Sequence, residues 1–236
     1  MERCDFLPVS AEEMHERGWW WYDALVVGGD AYVDHPSFGT AVISRVLEAE
    51  GLRVAVLAQP DWHDAEAFRA MGRPRLGVFI GAGNLDSMVA HYTAAKRRRS
   101  EDFYSPGKRS GCRPDRAAIV YCNRAREAFG PDMPIILGSL EASLRRFAHY
   151  DYWDDSVRRA ILFDAPADLL VYGMGEAATI EIAHRLKKKQ SVRTMTDIPG
   201  TGYITRDPSV CKFDHITLPS FEDVRDDKRL YAEATR

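Results

Sequence analysis

The sequence predicts an α/β domain built on a five-stranded parallel sheet, in the flavodoxin-like strand order 2-1-3-4-5. Three observations lead there. Short apolar runs alternate with amphipathic segments of helical period, the pattern of strands joined by crossover helices. The apolar runs show no in-and-out alternation, so each strand is expected to be buried on both faces. Glycines close four of those runs, where a strand has to turn into its helix.

The elements follow in order. ALVVGG, from Ala24, is a buried strand ending in glycines, and TAVISRVLEAEG, Thr40 to Gly51, carries apolar residues at helical spacing before a closing glycine. Leu52 to Ala58 is a second strand, stopped by Pro60, and Leu76 to Ile80 is a third with a glycine-rich exit. Asn84 is a good N-cap for a helix expected to run to about Arg97. Asp115 to Phe129 reads as another helix, MPIILG as the fourth strand and ADLLVYG as the fifth. GEAATIEIAHRLKKK is the helix that follows, with lysines in its last turn where they complement the helix dipole.

After Lys189 the pattern changes. Residues 191–236 are rich in Pro, Asp and Thr, with one short strand candidate at Gly202 to Thr205, and end in a charged segment that reads as the start of a helix with nothing to pack on. The expected organisation is an α/β domain over 1–190 and a linker over 191–236 that leads toward a further domain.

Composition fits a soluble globular protein: 45% of residues are hydrophobic and 28% charged, with a net charge of −3. No apolar run approaches the ~20 residues of a membrane span, and the start is too acidic and polar for a signal peptide. Cys4, Cys112, Cys122 and Cys211 are too widely spread for a disulfide framework, so a reducing cytoplasm is the expected compartment.

In open parallel sheets, ligands sit beyond the carboxyl ends of the strands. Four glycine-bearing exits meet there: 28–39, 81–84, 138–141 and 173–176. Glycine lets a backbone approach a ligand closely, and helix N-termini bring free N–H groups. The expected pocket comprises Gly28, Gly29, Asp30, Asp34, His35, Gly81, Asn84, Gly138, Ser139, Gly173, Gly175 and Glu176. GMGEAA matches G-x-G-x-x-A, but on the last strand and with Arg193 where a dinucleotide site needs an acid, so no nicotinamide or flavin site is read from it. No Walker sequence is present. The histidines and cysteines show no zinc spacing, and no metal ligands are assigned.

Two further features stand out. GSLEASLRRFAHYDYWDD, Gly138 to Asp155, sets Arg, His, Tyr, Trp and Asp directly after a strand, a mixture that ordinary packing does not demand. Lys96 to Arg116 carries eight basic and three acidic residues around Phe103 and Tyr104. Such a stretch suits RNA or nucleotide binding, with a solvated loop as the plain alternative.

Together the blocks 6–19, 28–39, 46–62, 83–107, 113–127, 138–162, 167–176 and 197–203 resemble the N-terminal half of the YgiQ family of radical S-adenosylmethionine proteins. The resemblance runs from Phe6 to Tyr203 and rests on long, idiosyncratic blocks such as FAHYDYWDD. It implies an α/β domain similar to cobalamin-binding domains, which precedes a radical SAM barrel in the same chain. In that barrel a C-x3-C-x2-C motif holds a [4Fe-4S] cluster and S-adenosylmethionine is cleaved to a 5′-deoxyadenosyl radical.

This chain departs from that pattern twice. The cysteine triplet is absent, so the chain is not expected to bind the cluster or to be catalytically competent alone. The cobalamin signature D-x-H-x-x-G is also unmet: Asp34 and His35 are adjacent, and Gly39 lies four beyond His35. Cobalamin without a histidine ligand remains the form compatible with the rim. The resemblance therefore implies an accessory domain that positions substrate or cofactor, with Arg145 to Asp155 facing the barrel. The alternative is an RNA- or nucleotide-binding module using Lys96 to Arg116.

Overall fold

The structure, a computed structural model, describes residues 6–236; Cys4 falls outside them. The chain opens with helix α1 (Ala11–Glu16), whose first turn is closed by the Ser10 hydroxyl accepting the Glu13 N–H at 3.2 Å. The parallel core follows as strand β1 (Ala24–Gly28), helix α2 (Gly39–Ala49), strand β2 (Val54–Ala58), helix α3 (Glu66–Ala70), strand β3 (Gly77–Gly81) and helix α4 (Ser87–His91). Helix α5 (Ala117–Phe129), strand β4 (Ile135–Leu137) and helix α6 (Ser139–Leu144) come next. Strands β5 (His149–Asp151) and β6 (Ser156–Arg158) form an antiparallel hairpin beside the main sheet. Strand β7 (Leu169–Val171), helix α7 (Glu176–Lys187), strand β8 (Thr201–Gly202) and helices α8 (Phe221–Asp226) and α9 (Lys228–Ala234) complete the chain.

The main sheet runs β2-β1-β3-β4-β7-β8. Its first five members are parallel and follow the expected order, while β8 pairs antiparallel with β7 through Leu170–Gly202 and Val171–Thr201. The sheet therefore has six strands, not five. A two-residue strand flanked by Gly200 and Tyr203 is too short for any periodic signal, and only pairing to the edge of β7 makes it a strand.

Alternate side chains of each strand feed two separate cores. Leu25, Val27, Val78, Ile80, Ile135 and Leu137 pack under α5 with Ala118, Tyr121 and Cys122. Ala24, Val26, Val54, Phe79, Ile136 and Val171 pack under α2 and α7 with Leu47 and Ile182. This double burial explains the unbroken apolar runs, each buried Val, Leu or Ile contributing about 1.5–3 kcal/mol. Val192, Met195 and Ile198 extend the second core beyond α7.

Three local expectations are corrected. The helix expected from Asn84 to Arg97 spans only Ser87–His91: Asp86 caps it, accepting the N–H groups of Met88 at 3.0 Å and Val89 at 3.3 Å, and Tyr92 leaves it in an extended conformation. The chain then turns back through Lys96, at φ +57°, to bridge Tyr92 with Arg98. The helix expected from Asp115 begins at Ala117, because Arg116 is left-handed at φ +51°. The charged C-terminal segment also finds a surface: the Tyr231 hydroxyl accepts the Tyr150 N–H at 2.9 Å, and Arg159 pairs with Glu222 at 3.3 Å, seating α8 and α9 on the β5–β6 hairpin.

Two glycines are required by close approach. A Cβ on Gly29 would lie 2.0 Å from the Ala82 carbonyl oxygen. One on Gly83, at φ +110°, would lie 2.3 Å from Asp30 Oδ1.

Candidate functional site

At the carboxyl ends of β1, β3, β4 and β7 the sheet opens into a cleft of about 310 Å³ between α2 and α7. That is the low end of the range for small-molecule sites. Its floor is apolar: Val26, Phe79, Ile136 and Val171, the same residues that face α2 and α7 deeper in the fold. The hydroxyls of Thr40, Ser139 and Thr179 and the carboxylate of Glu176 stand around it. Helices α2 and α7 both start at this cleft, and neither Phe38 nor Gly175 caps its helix with a side chain; Asn84 Oδ1 takes the Gly39 N–H of α2, and the other opening N–H groups face the same space.

Glycine shapes the walls. A Cβ on Gly39 would meet nothing within 4 Å, and one on Gly138 would meet only the Val171 carbonyl oxygen, at 3.7 Å. Neither has a positive φ among the described residues. Neither the backbone nor the packing of the protein requires glycine there, and a side chain would occupy the cleft.

Of the residues expected to form the pocket, Gly81, Gly138, Ser139, Gly173, Gly175 and Glu176 line this cleft. The other six are held in the structure around it. Gly28 abuts Thr40, Gly29 packs against Ala82, and Asp34 pairs with Arg45. His35 Nδ1 accepts the Ser37 N–H at 3.1 Å. Asn84 ties the first rim loop down, donating to Ser37 O at 2.9 Å and accepting the Gly39 N–H at 3.3 Å.

Asp30 is buried, and burial pushes its carboxyl up, an effect partly offset by Arg113 at 2.8 Å and by the Asn84 N–H at 2.7 Å. Arg113 is 1% exposed and also grips Asp102 at 2.9 Å, so one buried cation holds two buried carboxylates. Sequence reading placed Arg113 within a basic stretch, but the fold withdraws it into an internal anchor.

The Gly138–Asp155 block is likewise mostly a polar framework. Glu141 is buried and accepts from Ser87 N at 3.0 Å, Ser87 Oγ at 2.7 Å and Ala118 N at 3.1 Å; burial pushes its carboxyl up. Asp151 is buried, which raises its carboxyl, but Arg116 at 2.9 Å and the Trp153 and Asp154 N–H groups outweigh this and hold it below the usual range. Burial pushes the His149 imidazole down. Among the described residues, no three His, Cys, Asp or Glu side chains are arranged to hold a metal ion, and no helix is long and apolar enough to cross a membrane.

Sequence reading missed Thr40, Ile43 and Thr179. The available signal was helical spacing: residues 39, 40 and 43 on α2, and 175, 176 and 179 at the start of α7, each fall on one face.

The family model described as "Radical SAM N-terminal" matches residues 6–236. The chain belongs to this radical SAM N-terminal family. Among its relatives, a UPF0313 protein of Clostridium botulinum (strain 657 / Type Ba4) is 55% identical over 234 residues, which is 99% of this chain and 36% of that protein. A UPF0313 protein of Clostridium perfringens (strain SM101 / Type A) is 52% identical over 233 residues, 99% of this chain and 35% of that protein. This radical SAM N-terminal chain thus spans about a third of the length of these relatives. A solved structure of the radical S-adenosylmethionine methyltransferase TsrM from Kitasatospora setae, with cobalamin and a [4Fe-4S] cluster bound, is similar at a TM-score of 0.48 and 21% identity, covering 78% of this chain and 27% of that one.

Proposed function

We propose that this domain positions a cofactor or substrate for a radical SAM core carried by the remainder of the longer YgiQ-like protein, and that it is not a SAM-cleaving enzyme by itself. The observation carrying this reading is the cleft between α2 and α7, whose glycine walls at Gly39 and Gly138 have no cause inside the protein. Its apolar floor suits a flat organic ring system, and three hydroxyls with the remaining open N–H groups of two helix starts suit a polar tail.

The residues fit the nucleotide tail of a corrinoid. Val26, Phe79, Ile136 and Val171 would cover its base, while Thr40, Ser139 and Thr179 would take its sugar and phosphate oxygens. His35 lies outside the cleft lining and its Nδ1 accepts the Ser37 N–H, so it is not among the residues that would hold the corrinoid. When bound, a corrinoid supplies methyl-transfer or one-electron chemistry; the chain's own part is to hold and orient it.

A facing surface for the rest of the protein accompanies the cleft. Leu144, Phe147, Phe163 and Met174 are exposed, and Phe147 and Phe163 border a groove of about 490 Å³ closed on its other side by Leu218, Phe221 and Val224. Exposed apolar groups lining a groove, as Phe147 and Phe163 do here, mark interaction surfaces. The relatives carry nearly two-thirds of their length beyond the matched part, which supplies an occupant.

The test is an equilibrium titration of the purified chain with hydroxocobalamin, followed by absorbance and calorimetry. Binding is expected, and Gly138→Val should weaken it at least ten-fold while leaving the melting temperature nearly unchanged, because its side chain enters open space. Absence of binding, or an indifferent Gly138→Val variant, would remove the corrinoid reading. Separately, 5′-deoxyadenosine formed from S-adenosylmethionine by the reconstituted chain would overturn the claim that it is not catalytic alone.

A further inference from the structure

The loop from Tyr92 to Arg109 holds together through two isolated antiparallel bridges, Tyr92 with Arg98 and Glu101 with Arg109. It is nevertheless fixed from beneath. Asp102 and Ser105 are buried; Asp102 is gripped by Arg113, and the Ser105 hydroxyl accepts Gln59 Nε2 at 2.7 Å. The Ala31 N–H donates to Tyr104 O at 2.8 Å, which docks the loop on the rim of the sheet. A loop of this length, anchored by a buried ion pair, is a preformed platform.

What the platform presents is positive and aromatic. Lys96, Arg97, Arg98, Arg99, Lys108 and Arg109 are exposed, and none of them forms an ion pair among the described residues. Glu101 is the exposed carboxylate among them. Six cations outside any ion pair on one loop of a chain with net charge −3 make a concentrated patch, in which Arg98 also acts on the exposed Asp115 carboxylate. Lys108 Nζ stands 5.0 Å from the Phe103 ring and Lys96 Nζ 4.9 Å from the Tyr152 ring. Phe103 is 74% and Tyr152 47% exposed. The two aromatics are on different elements, yet the Tyr152 hydroxyl donates to Ala94 O at 2.5 Å and Lys96 Nζ to Trp153 O at 3.1 Å, which fastens the hairpin to the loop.

We infer that this platform binds a single-stranded nucleic acid, with phosphates on the loop cations and bases on Phe103 and Tyr152. The aromatics decide between polyanions: a carboxylate-rich peptide gains nothing from a solvent-facing phenyl ring, whereas every base has a face to stack on it. Phosphate pairing and ring stacking depend on neither the base nor the sugar, so oligo(U) and oligo(dT) should bind alike. The inference uses residues outside the cleft, and its test reads nucleic-acid affinity, so it and the corrinoid reading fail separately.

The experiment is fluorescence anisotropy of a labelled oligo(U), on the order of ten nucleotides long, titrated with the chain over a series of KCl concentrations. With all six cations engaged, log K is expected to fall against log salt with a slope of about −4, at about −0.7 per phosphate contacted. Replacing Arg97, Arg98 and Arg99 together by Gln should reduce that slope by about 2. Phe103→Ala should weaken binding roughly 5- to 150-fold and leave the slope unchanged. All four side chains are exposed, and the Arg99 Nε bonds to Val89 O and Tyr92 O, at 3.2 Å each, are surface contacts, so these variants should melt close to the parent chain. Polyglutamate competing as well as oligo(U), an unaltered affinity in Phe103→Ala, or no binding at low salt would each overturn the proposal.

Discussion

Replacing Arg113 by methionine keeps a long side chain but leaves two carboxylates buried without their cation. Arg113 is 1% exposed, Asp102 3% and Asp30 4%, and the guanidinium lies 2.8 Å from Asp30 and 2.9 Å from Asp102. Removing one partner of a buried ion pair costs about 3–5 kcal/mol, because the group left behind keeps its desolvation penalty. Against a total stability of about 5–15 kcal/mol for an ordinary domain, that is a large fraction. Urea unfolding followed by far-UV circular dichroism would report it as a lower midpoint with little change in slope.

The loss also carries a pH signature with a definite sign. Burial already holds the Asp30 carboxyl above its ordinary value, and removal of Arg113 pushes it further in that direction. A carboxyl whose folded pKa lies above its unfolded value of about 3.9 is penalised only where it is ionised. The deficit of the variant should therefore be full near neutral pH and shrink as pH falls through the raised folded value. Asp30→Asn with Asp102→Asn in the Arg113→Met background should recover part of the stability at neutral pH. A loss below about 1 kcal/mol, or a deficit that does not change on acidification, would refute the reasoning.

Three further outcomes are expected. Gly83→Ala should cost about 1–3 kcal/mol, since its Cβ would meet Asp30 Oδ1 at 2.3 Å, whereas Gly72→Ala, with positive φ but nothing within 4 Å, should cost about 1; equal losses in thermal melts would contradict the steric part. Glu141→Leu leaves the Ser87 and Ala118 N–H groups buried without their acceptor and should cost about 1–3 kcal/mol per group in urea titrations, with Glu141→Gln intermediate. Because Arg116 and two N–H groups hold Asp151 below the usual range, its contribution is present above about pH 4 and lost as pH falls through the lowered folded value. Hydrogen exchange of the β5–β6 amides should accelerate in that acid window, and exchange indifferent to pH after correction for the intrinsic rate would count against it.

Much of the architecture was legible in one sequence because parallel strands covered on both faces read as unbroken apolar runs. Those runs gave five strands in the order found and put the glycine exits where the cleft opens. Membership of the radical SAM N-terminal family was legible too, because blocks such as FAHYDYWDD combine residues that packing alone would not select. The misses fall where local signal is weakest. Strand β8 is two residues long, α4 was overextended because Ala94 and Ala95 favour a helix that the turn at Lys96 forbids, and the C-terminal helices were left without the hairpin on which they rest.

The candidate site divides the same way. Local chemistry determined which strand ends would be glycine-rich and which loop would be basic, since these follow from residue type and period alone. Only the tertiary structure decided that Asp30 and Arg113 are internal partners, that Asn84 and His35 belong to the rim loop's own bonding, and that Thr40 and Thr179 face Gly138 across one cleft. Apart from the local His35–Ser37 bond, those pairings join residues 41 to 139 positions apart in the chain. A buried charge or a shared cavity depends on which distant segments arrive beside it, and no periodicity within one segment encodes that.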